Sequence, residues 1–549
     1  MTLFDRRRFL LAAAGAAATA CAGIARRGNL QRGEPCDLLL RGGRVFDGTG
    51  APPFWADLAV RERRIVGIGD YAPRDARDTI DLDGLCLAPG FVDIHTHSDR
   101  SILRFPGAES RVRQGVTTEI TGNCGSSAAP RGPDDASAPW TDVRSYAQTL
   151  QAANPAIHHA MLVGHGTLRS IVLGDVDRRA TAAELDRMAE LLDTALRQGA
   201  IGMSTGLEYV PGLYAPADEI ERLARVVARH GGLYASHMRS EEEELLAAID
   251  ETLAVGRRTG VRVQVSHLKA CGRSNWPLLA AAIERLEQAR RDGVDVMADA
   301  YPYTAYSTTL TILLEPWSRE GGAEAVVARL RDPEQRARMR AEVVPHVASD
   351  PGGFELVVIA SVANAAHQAC VGRNLVEIAA MWRIEPADAF LRLLEENGAD
   401  VGFIGHGIAA DGVDRVLAHP LVMVGSDGRT MAPVGRQLER PHPRSYGSFP
   451  RVLGLYCREQ GLFDLPTAIA KMTAMPAARA RLRDRGRIAV GAFADLVAFD
   501  AATVRDGATF ASPQEYPLGI PHVVVDGSPV VRDGVDTGAR PGRWLAHGG

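Results

Sequence analysis

Seven residues placed at the ends of short apolar runs form a set able to hold a divalent metal. His95 and His97 end Leu87–His97 (LAPGFVDIHTH) and Cys124 ends Val116–Cys124 (VTTEITGNC). His165, His237 and His267 end Met161–His165, Leu233–His237 and Val263–His267, and Asp427 ends Leu421–Asp427 (LVMVGSD). Mixed imidazole, thiolate and carboxylate ligands suit zinc best. Residues two apart on a strand point the same way, so His95 and His97 can reach one point. A thiolate at Cys124 could bind or bridge metal, which itself deprotonates the thiol; a buried structural cysteine is the plain alternative. Asp427 could take a proton from metal-activated water, although Ser-Asp-Gly is also good turn chemistry.

Such residues need a scaffold that gathers them. The six runs, with Ile201–Leu207 (IGMSTGL) and Val294–Tyr303 (VDVMADAYPY), make eight apolar segments separated by helix-like stretches. Continuous apolar runs of this length read as buried parallel strands. Eight of them in βα alternation predict a (β/α)8 TIM-like barrel, an α/β fold whose chemistry collects at the C-terminal strand ends. Helical spacing is expected over 181–198, 218–230 (with Gly231 and Gly232 as a stop) and 276–291. Before the barrel, DLLLRGGRVFDGTG and DLAVRERRIVGIG alternate like antiparallel strands; GRIAVGAFADLVAFD and PHVVVDGSPVVRDG do so after it. Residues 36–86 and 484–545 are therefore expected to form one small β-sandwich flanking a barrel over 87–483. The stretch 317–416 exceeds what a βα loop needs and reads as an insertion between the last two barrel strands, with 329–340 as a solvated helix.

The totals set outer bounds. The 549 residues exceed one simple core, and 46% hydrophobic with 23% charged residues is ordinary for a globular protein. A net charge of −5 gives no basic surplus for nucleic acid. Seven scattered cysteines show no CxxC pair and no disulfide framework. Residues 1–27 open with Arg6, Arg7 and Arg8, then Phe9, Leu10, Leu11 and an alanine-rich run. The run is short and weakly apolar for a transmembrane span and reads as a cleaved export signal. Its Arg-Arg-x-Phe-Leu order resembles a twin-arginine signal, which implies the bacterial periplasm. Ala18-Thr19-Ala20-Cys21 is a poor lipobox, so a lipid anchor at Cys21 has weak support.

Across these blocks, and through VGHGTLR, GLEYVPGLYA, YASHMRSE, VSHLKACGRSNW and HPRSYGSFPRVLG, the chain resembles the D-aminoacylase (N-acyl-D-amino-acid deacylase) family of the amidohydrolase superfamily. The resemblance covers nearly all of the chain after the signal. It implies a tight zinc site at Cys124, His237 and His267, and a second, weaker metal position at His95, His97, Cys124 and Asp427. It also implies Asp427 as the catalytic acid/base, and Lys269, Tyr303 and Arg444 as holders of the substrate carboxylate. Tyr301, two residues away in the same motif, is the alternative tyrosine. Many related amidohydrolases bridge two metals with a carbamylated lysine; the fourth run here offers none, and in this family the cysteine takes that place.

The expected reaction is zinc-assisted hydrolysis of a small N-acyl-D-amino acid to a carboxylic acid and a D-amino acid. The alternatives are another amidohydrolase acting on cyclic amides or dipeptides, and a barrel scaffold without catalysis. Side-chain preference, oligomeric state and the number of metals in the active form stay open at this stage.

Overall fold

The computed structural model describes residues 35–132, 135–433 and 439–548. The expected export signal over residues 1–27 and Cys21 lie outside the described residues. All eight apolar runs are strands of one parallel sheet, ordered Phe91–Asp93, Val116–Thr121, His158–Gly164, Gly202–Gly206, Leu233–His237, Arg262–Val265, Val296–Ala300 and Val422–Val424. The sheet closes just past its first and last strands. His97 N–H donates to Gly428 O at 2.8 Å and Asp427 N–H to His95 O at 2.9 Å. Val92, Ile94, Ile120, Leu162, Ile201 and Met423 fill the barrel interior. Met188, Leu192, Leu223, Leu253 and Leu286 pack the surrounding helices onto its outer face.

The helices begin and end where local chemistry dictates. Ala182–Arg197 starts at Thr181, whose hydroxyl accepts from Glu184 N–H while the Glu184 carboxylate accepts from Thr181 N–H. That reciprocal cap satisfies two amides that the helix itself cannot. Ala217–Arg229 stops before Gly231, which adopts φ +65°. The expected helix over 329–340 is two helices instead, Gly322–Arg331 and Pro333–Ala348. Pro333 forces Asp332 into an extended conformation (ψ 122°), and the Asp332 carboxylate caps the second helix through Glu334 N–H and Gln335 N–H.

The terminal segments join in one nine-stranded sheet. Leu496–Phe499 lies antiparallel to Cys86–Pro89, so the C-terminal strands extend the sheet begun by Cys36–Val45. Leu40, Leu58 and Ile65 from one segment share a core with Ile488, Leu496 and Val524 from the other. The insertion starts earlier than 317. Its polar first strand, Tyr306–Thr309, pairs antiparallel with Val401–Gly405, which also pairs with Val357–Val362. Leu330, Met339, Ile359, Phe390 and Phe403 give this unit its own core. Ala410–Ala418 then returns to the barrel as an ordinary crossover helix. Tyr-Ser-Thr-Thr carries no apolar alternation, which is why that strand is invisible to pattern. Among the described residues no helix is long and apolar enough to cross a membrane.

The closing seam is braced from inside by Arg111. Its guanidinium pairs with Asp93 of the first strand and, at 2.5 Å, with Glu119 of the second. It also donates to Ser426 Oγ at 2.7 Å, just past the last strand. All three charged side chains are fully buried. Removing one partner of such a group leaves uncompensated buried charge, at about 3–5 kcal/mol. Arg111→Ala is therefore expected to lower the urea midpoint by a corresponding amount; an unchanged midpoint would show that the seam does not need it.

Candidate active site

The C-terminal strand ends surround a cavity of about 800 Å³ lined by His97, Cys124, His237, His267, Lys269, Tyr301, Asp427 and Arg444, among others. Ligand atoms of His95, His97, Cys124 and Asp427 lie within 4.8 Å of one another, as do those of Cys124, His237 and His267. In the second group His237 Nδ1 is 2.9 Å from His267 Nε2, and Cys124 Sγ is 3.4 Å from that same nitrogen. In the first, Cys124 Sγ is 3.3 Å from His95 Nε2, and Asp427 Oδ1 is 2.9 Å from His97 Nε2. Cys124 belongs to both groups. His165 does not join them: its Nε2 meets Glu219 Oε1 at 2.8 Å, and Glu219 is tied to Arg169 at 2.6 Å. Four of the five rim histidines converge, and the fifth holds a helix in place.

Three of the converging residues have left-handed backbones: Cys124 at φ +51°, His267 at +34° and Asp427 at +52°. Side-chain-bearing residues reach this region at a cost of about 1–3 kcal/mol each, and such strain clusters at functional sites. Each bend turns a strand end inward over the barrel axis. The fourth strand ends at Gly206, where an added Cβ would lie 2.2 Å from Cys124 O. The Cys124 loop thus fills the space a lysine side chain would need there.

The residues present fit a metal. Each ring of three histidines offers one nitrogen to the cluster and gives the other to a carboxylate. His95 Nδ1 meets Asp299 Oδ1 at 3.1 Å, His237 Nε2 meets Glu208 Oε2 at 2.8 Å, and His267 Nδ1 meets Glu241 Oε1 at 2.8 Å. Such carboxylates fix the tautomer and ring angle of metal-ligating histidines. Sequence reasoning missed all three; their signal was position, each lying within a few residues of a strand end. Burial works against charge throughout, yet His95 and His267 hold the Cys124 thiol well below its ordinary range. Burial likewise opposes protonation of His237, but Cys124 and Glu208 push it up to about 10. Donors competing for protons in one small space are what a bound cation would relieve.

Beside the cluster stand two cations and a tyrosine. Lys269 Nζ pairs with Glu241 Oε2 at 2.5 Å, and Arg444 Nη1 with Asp427 Oδ2 at 2.8 Å. Burial would raise the Asp427 carboxyl, but Arg444 and then His97 hold it well below the usual range. Between the cations lies Tyr301, its ring 5.7 Å from Lys269 Nζ and 5.0 Å from the Arg444 guanidinium carbon. The buried Tyr301 hydroxyl has no partner among the described residues. Tyr303, the expected residue, faces away: Arg451 covers its ring and its hydroxyl meets Pro443 O at 3.5 Å. Tyr303 N–H folds back onto Tyr301 O at 3.0 Å, so strand alternation has already ended at Pro302. A further group, His158, Asp495 and Asp526, could geometrically hold an ion at the opposite end of the barrel. Arg485, Arg63 and Arg543 already neutralise it, making it a salt network between barrel and sheet.

Residues 78–531 match the amidohydrolase family. The chain belongs to that family. It is 39% identical to a D-aminoacylase of Alcaligenes xylosoxydans xylosoxydans over 535 residues, covering 94% of this chain and 98% of that one. It is also 39% identical to an N-acyl-D-glutamate deacylase of the same organism over 522 residues, covering 93% and 97%. The crystal structure of an N-acyl-D-glutamate deacylase from Bordetella bronchiseptica, complexed with zinc and a phosphonate mimic of the tetrahedral intermediate, is similar at a TM-score of 0.80 and 37% identity, over 93% of this chain and all of that one.

Within this amidohydrolase, Cys124→Ala is expected to lose zinc from the purified protein by elemental analysis. Glu241→Gln should weaken zinc about 10–100-fold, since an amide cannot fix the His267 tautomer as a carboxylate does. Equal zinc content in Cys124→Ala and parent would refute the ligand set.

Proposed function

We propose that this amidohydrolase is a metal-dependent deacylase that hydrolyses the amide bond of N-acyl-D-amino acids. One observation carries the reading: Lys269, Arg444 and the unpartnered Tyr301 hydroxyl stand together beside the donor cluster, a cradle of donors suited to a carboxylate. A hydantoin-type cyclic amide, whose α-carboxyl carbon is closed into the ring, has no free α-carboxylate to fill it. The D configuration comes from the relatives, whose names specify D-amino acids.

A zinc ion held by Cys124, His237 and His267, with a second, weaker position at His95, His97, Cys124 and Asp427, would acidify water and polarise the acyl carbonyl. Asp427, ionised under the hold of Arg444, accepts the proton of the attacking water. Asp427 then returns it to the amide nitrogen as the C–N bond breaks, because an unprotonated amine anion is too basic to depart. Arg444 grips the α-carboxylate through parallel N–H donors, Lys269 adds a point charge, and Tyr301 donates its hydroxyl. Fixing that end orients the scissile bond over the cluster. The products are a carboxylic acid and a free D-amino acid. Asp427→Asn should lower kcat by about 10²–10⁴-fold while the tight zinc stays bound. With zinc-loaded parent enzyme, N-acetyl-D-amino acids should release amine and their L isomers should not; turnover confined to L isomers or cyclic amides would end this reading.

The same proposal places the mature enzyme in the periplasm through the twin-arginine-like segment at Arg6–Leu10. Arg6→Lys with Arg7→Lys should retain the protein in the cytoplasmic fraction; unchanged fractionation would reject the signal.

A further inference from the structure

Between Arg444 and the insertion lies a buried histidine that the donor cluster does not use. His442 opens the run His-Pro-Arg-Ser-Tyr, two residues before Arg444. Its Nε2 lies 2.9 Å from Ala305 O, and its Nδ1 accepts from Arg444 N–H at 3.0 Å. A carbonyl oxygen only accepts and an amide N–H only donates. Both bonds therefore form together only on the neutral ring that carries its proton on Nε2. Burial, and Arg444 beside it, push the ring well below the ordinary histidine range, which keeps it neutral.

Both bonds bear on Arg444. That residue begins the helix Arg444–Arg451, and the first N–H groups of a helix have no acceptor within it. The His442 ring supplies the acceptor and so fixes where the Arg444 side chain leaves the backbone. The ring is itself held edge-on against Tyr303 and Phe510, each with its centroid 5.1 Å away. Its other bond ends at Ala305, the residue before the insertion's first strand, Tyr306–Thr309. From that strand Ser307 O accepts from Arg444 Nη2 at 3.0 Å. Arg444 is thus tied to the root of the insertion at two points, its backbone through the His442 ring and its guanidinium directly. Nη1 meanwhile keeps the Asp427 pair at 2.8 Å. Both acceptors on the insertion side are backbone carbonyls, so the link does not depend on side chains there.

We propose that His442 is a positioning residue: its ring bridges Ala305 O and Arg444 N–H and so sets Arg444 against the substrate carboxylate. This rests on the deacylase function. Neither hydrogen bond of the ring touches the donor cluster, so its loss should spare zinc. The grip on the α-carboxylate is made in the bound substrate and in the transition state alike. Loosening it should therefore appear in KM more than in kcat.

The test compares zinc-loaded full-length parent with His442→Phe, which keeps the ring packing and loses both hydrogen bonds. N-acetyl-D-methionine, N-acetyl-D-glutamate and N-acetyl-D-aspartate are assayed, and the comparison is made on the one that the parent turns over best. His442→Phe should raise KM about tenfold and lower kcat less than about threefold, with zinc content equal to the parent's. His442→Asn can still accept from Arg444 N–H but falls short of Ala305 O; its KM should lie between the two, and it carries the test where the Phe variant does not fold. In an Arg444→Lys background, where the forked grip is already gone, His442→Phe should change KM by less than about threefold, since residues that act as one unit are not additive. A full tenfold rise persisting in that background, or KM unmoved in both His442 variants, overturns the inference while leaving the deacylase function standing. Loss of zinc or of folding in both variants makes His442 merely structural and overturns it too. Silence of the parent on all three substrates sinks the function itself, and this inference with it.

Discussion

The site depends on how the barrel closes. The eighth strand is three residues long and pairs laterally with the seventh. Its junction with the first strand is made by two backbone hydrogen bonds beyond the strand ends, between His95 and Asp427 and between His97 and Gly428. Those same bonds set the side chains of His95, His97 and Asp427 next to each other; Asp427 Oδ1 lies 3.5 Å from His95 Nε2 and 2.9 Å from His97 Nε2. Closure of the fold and assembly of the donor cluster are thus one event. The buried Arg111 group beneath the seam holds strands one, two and eight in register, at a place where apolar packing alone would not specify which ends must meet.

Around this junction, charge is arranged in opposed layers. Carboxylates stand behind the histidines, histidines surround the thiol, and each cavity-facing cation is already paired: Lys269 with Glu241, Arg444 with Asp427. Glu241 links two functions, since one oxygen orients His267 and the other holds Lys269. The cradle therefore presents fixed donors and not a large net positive field. On the proposed function, an incoming carboxylate is positioned by geometry, with little rearrangement to make, which is the form of preorganisation that acts on the reacting bond.

Most of this scaffold was legible in the sequence because its signals are local and periodic. Eight apolar runs gave the strands, Thr181 with Glu184 and Gly231 bounded helices, and the donors sat at strand ends. What escaped detection follows from distance and direction. Tyr301 and Tyr303 differ only in which way the chain turns at Pro302. His165 ends a strand as the others do, and only Glu219, 54 residues away, shows that its ring is spoken for. Asp299, Glu208 and Glu241 support histidines far off in sequence, so no spacing announces them. The insertion's first strand is polar because it covers a cavity instead of entering a core.

That last point bears on how such an enzyme acquires its substrate. The barrel supplies every donor and both cations, from strand ends and the segments immediately after them. The insertion supplies Tyr306, Leu313 and His346 to the adjoining wall while resting on its own core of Leu330, Met339, Phe390 and Phe403. A unit that buries its own apolar surface can change its cavity-facing residues without disturbing the strands that hold the chemistry. Relatives equally similar to this chain carry different substrate names, so overall identity alone does not fix the side chain that the cavity admits.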